Sequence, residues 1–119
     1  MAVKFEGARF ALTTGTAGTQ QNLTIAGFGT VKAVIFDYLV QSSTDVLQRF
    51  TTGVSTGYYD GTNQVCCGYR TSDAVTTQTS RFTQSTSRVI TAPSATSAGT
   101  ENHGFTAIAL IPDGVTIEV

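Results

Sequence analysis

Nowhere along these 119 residues does an apolar pattern hold a helical period for the length a helix needs. What recurs instead is a short run of β-branched and aromatic residues followed by a cluster of Gly, Ser, Thr, Asn, Asp or Pro, at a spacing of roughly ten residues. Thr and Ser supply about a quarter of the chain, charged residues 13%, and tryptophan none, a mix that suits strands and their turns. The expected fold is all-β: a single antiparallel β-sandwich or jelly-roll-like domain over residues 1–119, with about eight short strands. A chain of this length builds one core. With 40% hydrophobic residues it needs neither a disulfide framework nor a metal to do so.

The runs place the elements. Residues 3–12 read as an opening strand with a bulge at Gly7, because the alternation of Val3, Phe5, Phe10 and Leu12 slips by one there. Residues 22–25 make a short strand. The densest run, 32–41 (KAVIFDYLVQ), predicts a central strand covered on both faces, with 45–54 pairing beside it. Residues 64–70, 88–90, 105–111 (FTAIALI) and 115–119 are further strands. Val34, Phe36, Phe105, Ile108 and Leu110 are expected inside. Asp60-Gly61, Asn102-His103-Gly104 and Pro112-Asp113-Gly114 read as turns. The polar stretch 71–87 has only Val75, Arg81 and Phe82 as large anchors, too few to make a core strand pair.

Several function classes fall away. The formal net charge is -1 and no Lys/Arg cluster exists, so no nucleic-acid partner is expected. No apolar run reaches membrane-spanning length, and Met1-Ala2-Val3-Lys4-Phe5 opens no signal-peptide stretch. His103 is the single histidine, with Glu101 near it and Ser and Thr everywhere. A triad could be drawn almost at will, so none is assigned, and an enzyme is not expected. Asp60, Thr62 and Asn63 gather oxygen donors without the spacing of a calcium loop and read as a hairpin turn. No metal and no cofactor is expected. Cys66 and Cys67 are neighbours, which a strand points to opposite faces. They read as reduced small hydrophobes, not as a redox pair.

What remains is a contact surface. Tyr58, Tyr59 and Tyr69 suit a subunit interface, or the stacking of a sugar. Arg70, Arg81 and Arg88 flank the polar stretch, and arginine suits planar, many-donor contacts. The expected arrangement is an oligomer or shell contact in residues 71–87, with Phe82 as apolar anchor and the arginines as its rim.

A set of segments adds to this reading: Phe10-Ala11-Leu12-Thr13-Thr14-Gly15-Thr16, Gly27-Phe28 followed by Val31-Lys32-Ala33-Val34-Ile35-Phe36, then Ser72-Asp73-Ala74-Val75, Ser80-Arg81 and His103-Gly104-Phe105-Thr106. Taken in order over most of the chain, they resemble small β-sandwich domains of virion proteins from tailed marine and environmental bacteriophages. The chain departs from that pattern at Gly29-Thr30, where a proline is common, which leaves the subfamily open. The resemblance implies a non-enzymatic structural protein of the particle, and first a capsid decoration (cement) protein that stabilises the assembled shell. Its partners would be the major capsid protein and copies of itself, a homo-oligomer with a trimer favoured. Its place would be the capsid surface, after synthesis in the cytoplasm of a bacterial host. The alternative is a receptor- or glycan-binding module of a tail or head fibre. The family brings no catalytic motif.

Overall fold

A computed structural model of the chain describes residues 4–12, 15–40, 51–72, 79–93 and 101–119. Among them are eight strands and no helix: β1 (Gln20–Thr24), β2 (Val34–Val40), β3 (Thr51–Tyr59), β4 (Gln64–Ser72), β5 (Thr79–Ser85), β6 (Ile90–Pro93), β7 (Glu101–Ile111) and β8 (Gly114–Glu118). They form two antiparallel four-stranded sheets, the β-sandwich expected from the strand rhythm. One is the meander β2-β3-β4-β5. The other, ordered β1-β8-β7-β6, closes the first strand onto the last.

The core lies between the sheets. Leu23, Val89, Ile90, Phe105, Ala107, Val115 and Ile117 come from the closing sheet and its approach, and Phe36 and Tyr59 from the meander. Tyr38 brings its ring to a tilted contact with Phe105, centroids 6.2 Å apart. Burial pushes the Tyr38 hydroxyl above the usual tyrosine range, and the charge of Arg70 partly opposes this.

The sheets meet most closely at β6. On the inner side of the meander, alternate positions carry Gly53, Ser55 and Gly57 on β3 and Cys66 and Gly68 on β4, all buried. The backbone from Val89 to Thr91 lies directly on them. A Cβ at Gly57 would overlap the Val89 carbonyl oxygen, and one at Gly68 the Thr91 carbonyl oxygen. Ser55 Oγ accepts a hydrogen bond from the Thr91 N–H at 3.1 Å, buried from solvent. Main chain seats on main chain here, where most sandwiches interleave side chains, and only glycine leaves room for it.

Two acidic turns fix the hairpin ends. Asp60 accepts from the N–H groups of Thr62 (2.9 Å) and Asn63 (2.7 Å). These bonds, led by Asn63, hold its carboxyl below the usual carboxylate range. The turn is therefore stabilised above that range, and the stabilisation is lost as pH falls through the folded-state value. Asp60→Asn is expected to shrink the acid-side fall in melting temperature, as thermal melts between neutral and acid pH would read. At the other end Asp113, with φ 63°, donates its N–H to the Gly29 carbonyl at 2.8 Å and accepts the Gly29 N–H on its side chain. It ties the β7–β8 turn to the glycine-rich loop before β2.

Pairing of β7 with β8 slips by a residue between Ala107 and Ala109. Ile108 is the extra residue of this bulge and points outward, 43% exposed, so it is not the core residue expected; the slip lets Phe105 and Ala107 before it and Leu110 after it all face the core. The meander takes up the displaced main chain. Gln64 Oε1 accepts from the Ala107 N–H at 3.0 Å, and Tyr59 OH donates to the Ile108 carbonyl at 3.4 Å. Gln64→Ala should therefore cost about 1–3 kcal/mol by leaving a half-buried donor without its acceptor, measured as a lower denaturant midpoint at unchanged slope.

Other expectations are corrected. Residues 4–12, the described part of the predicted first strand, form no strand. Phe5 is 86% exposed there, so its apolar alternation meets no sheet. Lys4 instead donates to the Gly27 carbonyl at 3.1 Å and stands over the Phe28 ring. The run 32–41 is not a doubly covered central strand: β2 is the edge of the meander. Its partner does lie beside it, but of the predicted 45–54 only 51–54 fall within the described residues. Asn102-His103-Gly104 is not a turn. It belongs to β7, with His103 opposite Ala92. Residues 79–85 of the predicted contact arm are strand β5, and Val75 lies outside the described residues.

Candidate functional site

The face of the meander turned away from the core is built by the same alternation that buries its glycines. Register across the four strands arranges it in rows. Ile35, Tyr58 and Val65 form one row. Asp37, Thr56, Cys67 and Gln84 form the next, and Leu39, Val54, Tyr69 and Phe82 the third. All the large residues of the two outer rows are exposed, from Phe82 at 68% and Leu39 at 61% down to Tyr58 and Val65 at 38%. Small side chains in the middle row leave a shallow hollow of about 510 Å³ between Ile35, Tyr58, Val65 and Phe82, floored by Thr56 and Cys67. Thr56 Oγ1 donates to the Asp37 carboxylate at 2.9 Å. Asp37 is the one charged group on this face among the described residues.

The residues singled out from sequence divide. Tyr58 and Phe82 lie on this face, and Tyr69 with them. Tyr59 does not: it is 5% exposed and packs in the core, because it follows Tyr58 by one position on a strand. Arg70 does not rim Phe82 either. It is half-buried on the inner side, beside Gly53, with its charge felt at Tyr38. Its main chain pairs with that of Arg81, whose side chain lies outside the described residues. Arg88 is half-buried just before β6. Sequence reasoning missed Ile35, Leu39, Val54 and Val65 as surface residues, since their apolarity reads as core.

Cys66 points inward and is buried, and Cys67 points outward, both as free thiols. A maleimide should add once to the folded protein, at Cys67, and intact mass should not change on reduction.

The face offers area and very little reactive chemistry. Among the described residues, no group of three metal-ligating side chains comes together. The side chains of Glu101 and His103 lie outside the described residues. Asp60 and Asn63 are occupied with each other, Asn63 Nδ2 donating to Asp60 at 3.2 Å. Compared with protein-family models, with curated proteins and with solved structures, the chain matches none of them.

Proposed function

We propose that the chain is a non-enzymatic structural protein of a phage virion, a capsid decoration protein that binds the assembled shell and holds neighbouring subunits together. A protein that binds only the assembled shell stabilises it by mass action. The observation that supports a contact role is the outer face of the meander. Its seven large apolar and tyrosine side chains are each 38–68% exposed, a concentration on one face that differs from the singly scattered apolar residues of an ordinary surface. The virion setting rests on the short sequence segments alone. Tyr58 and Tyr69 stand in different rows, four residues apart along the strands with the polar row between them, so they do not bracket one pyranose between them. That favours a protein contact over the glycan-binding alternative.

Copy number is the test. Purified particles of the virus that encodes the chain, resolved on a gel and quantified against the major capsid protein, should carry hundreds of copies. A handful of copies per particle would move the protein to the tail or a fibre, and its absence from particles would overturn the virion reading.

A further inference from the structure

We infer that the outer face of the meander packs against the same face of a second copy of this chain, about a two-fold axis parallel to the strands. The inference goes beyond the virion reading and does not depend on it: it gives this face to a second copy, so that a shell contact would be made by other surfaces of the dimer.

Area is the first argument. The face spans four strands and carries seven large side chains 38–68% exposed, a breadth suited to the ~800 Å² that each partner contributes to a standard interface. A sheet face of this kind is ordinarily covered by a second sheet about 10 Å away.

The pattern of the rows is the second. A two-fold axis along the strands lays every row on its own reverse. Apolar rows then meet apolar rows, and the polar middle row meets itself. Within the middle row, Asp37 at one edge comes opposite Gln84 of the second copy, and Thr56 opposite Cys67. The lone carboxylate of the face thus meets an amide donor twice over, in the reciprocal manner of an isologous contact. An axis perpendicular to the strands would instead set Asp37 against Asp37, two like charges in a desolvated seam. Under the same axis Phe82, the most exposed of these side chains, comes opposite Leu39 of the second copy, and Tyr58 opposite Val65, beside the hollow floored by Thr56 and Cys67.

Light scattering after size exclusion should give twice the 12.5 kDa chain mass. Phe82→Glu should weaken the dimer roughly 30-fold or more while leaving the far-ultraviolet dichroism of the sandwich intact, since this side chain lies outside the core. Val54→Glu serves as a second probe of the same row. Gln84→Glu should weaken the dimer, more so at low salt, and Gln84→Glu with Asp37→Asn should restore it. Alkylation of Cys67 by a maleimide should be slowed in the wild-type dimer, and Phe82→Glu should restore its rate. A monomer at every concentration overturns the inference, as does a dimer indifferent to Phe82→Glu and Val54→Glu. A dimer insensitive to Gln84→Glu overturns the stated alignment. A trimer is incompatible with a closed two-fold contact and also overturns it.

Discussion

Gly57→Ala is expected to cost about 3 kcal/mol or more, a large share of the stability of a domain this size. The added methyl has nowhere to go. It would overlap the Val89 carbonyl oxygen, which is main chain held by its own strand, and no rotamer can relieve the clash. The sheets must part, or β6 must leave its seat and abandon the Thr91–Ser55 hydrogen bond. Gly53 provides the contrast on the same strand and the same face. A Cβ there would come 3.0 Å from the Tyr69 carbonyl oxygen and 3.3 Å from the movable Arg70 Cγ. Gly53→Ala should therefore cost only about 1 kcal/mol. Urea unfolding of the two variants beside the parent measures both. Equal costs would mean that the close seating of β6 is not what the inner glycines serve.

Phe105→Ala should cost about 3–5 kcal/mol through lost burial and the cavity left behind. Phe105 is 1% exposed, sits where β6 crosses onto β7, and meets the Tyr38 ring from the opposite sheet. It therefore links all the layers of the core. The denaturant midpoint should fall at unchanged slope. A midpoint within error of the parent would mean that the core is not centred at this side chain.

Much of the architecture was legible because its signals are local. Phe36 and Phe105 are buried as expected, with Val34 and Leu110 partly buried against the same core, and Asp60-Gly61 and Pro112-Asp113-Gly114 make turns through chemistry contained in a few atoms. The opposite facing of Cys66 and Cys67 follows from strand geometry alone.

What was not legible depends on distant chain. Gly53, Ser55 and Gly57 repeat at every second position, but small residues carry no hydrophobic signal, and only the arrival of β6 gives that stripe its meaning. Phe105 and Leu110 are an odd number of positions apart, and the bulge at Ile108 that lets both face the core is not marked in the sequence. The run holding Ile35, Phe36 and Leu39 is apolar on both sides. Such a pattern belongs equally to a strand buried in the middle of a sheet and to an edge strand with one sticky face. The chosen site inherited that ambiguity: Tyr58 and Phe82 were found by type, whereas Ile35 and Leu39 were placed in a strand covered on both faces and Val54 and Val65 were not singled out.

The seat of β6 also bears on how this protein fails. The open side of a border strand is a row of unsatisfied amides and carbonyls, and in many β-proteins it is the template on which chains polymerise. Here the Val89 carbonyl and both main-chain groups of Thr91 are turned onto the meander, so that template is sealed within the molecule. Any lesion that lifts β6 exposes it. The damaged protein is then poised to add strands from its neighbours rather than to remain a dispersed coil, and turbidity should accompany its loss of structure.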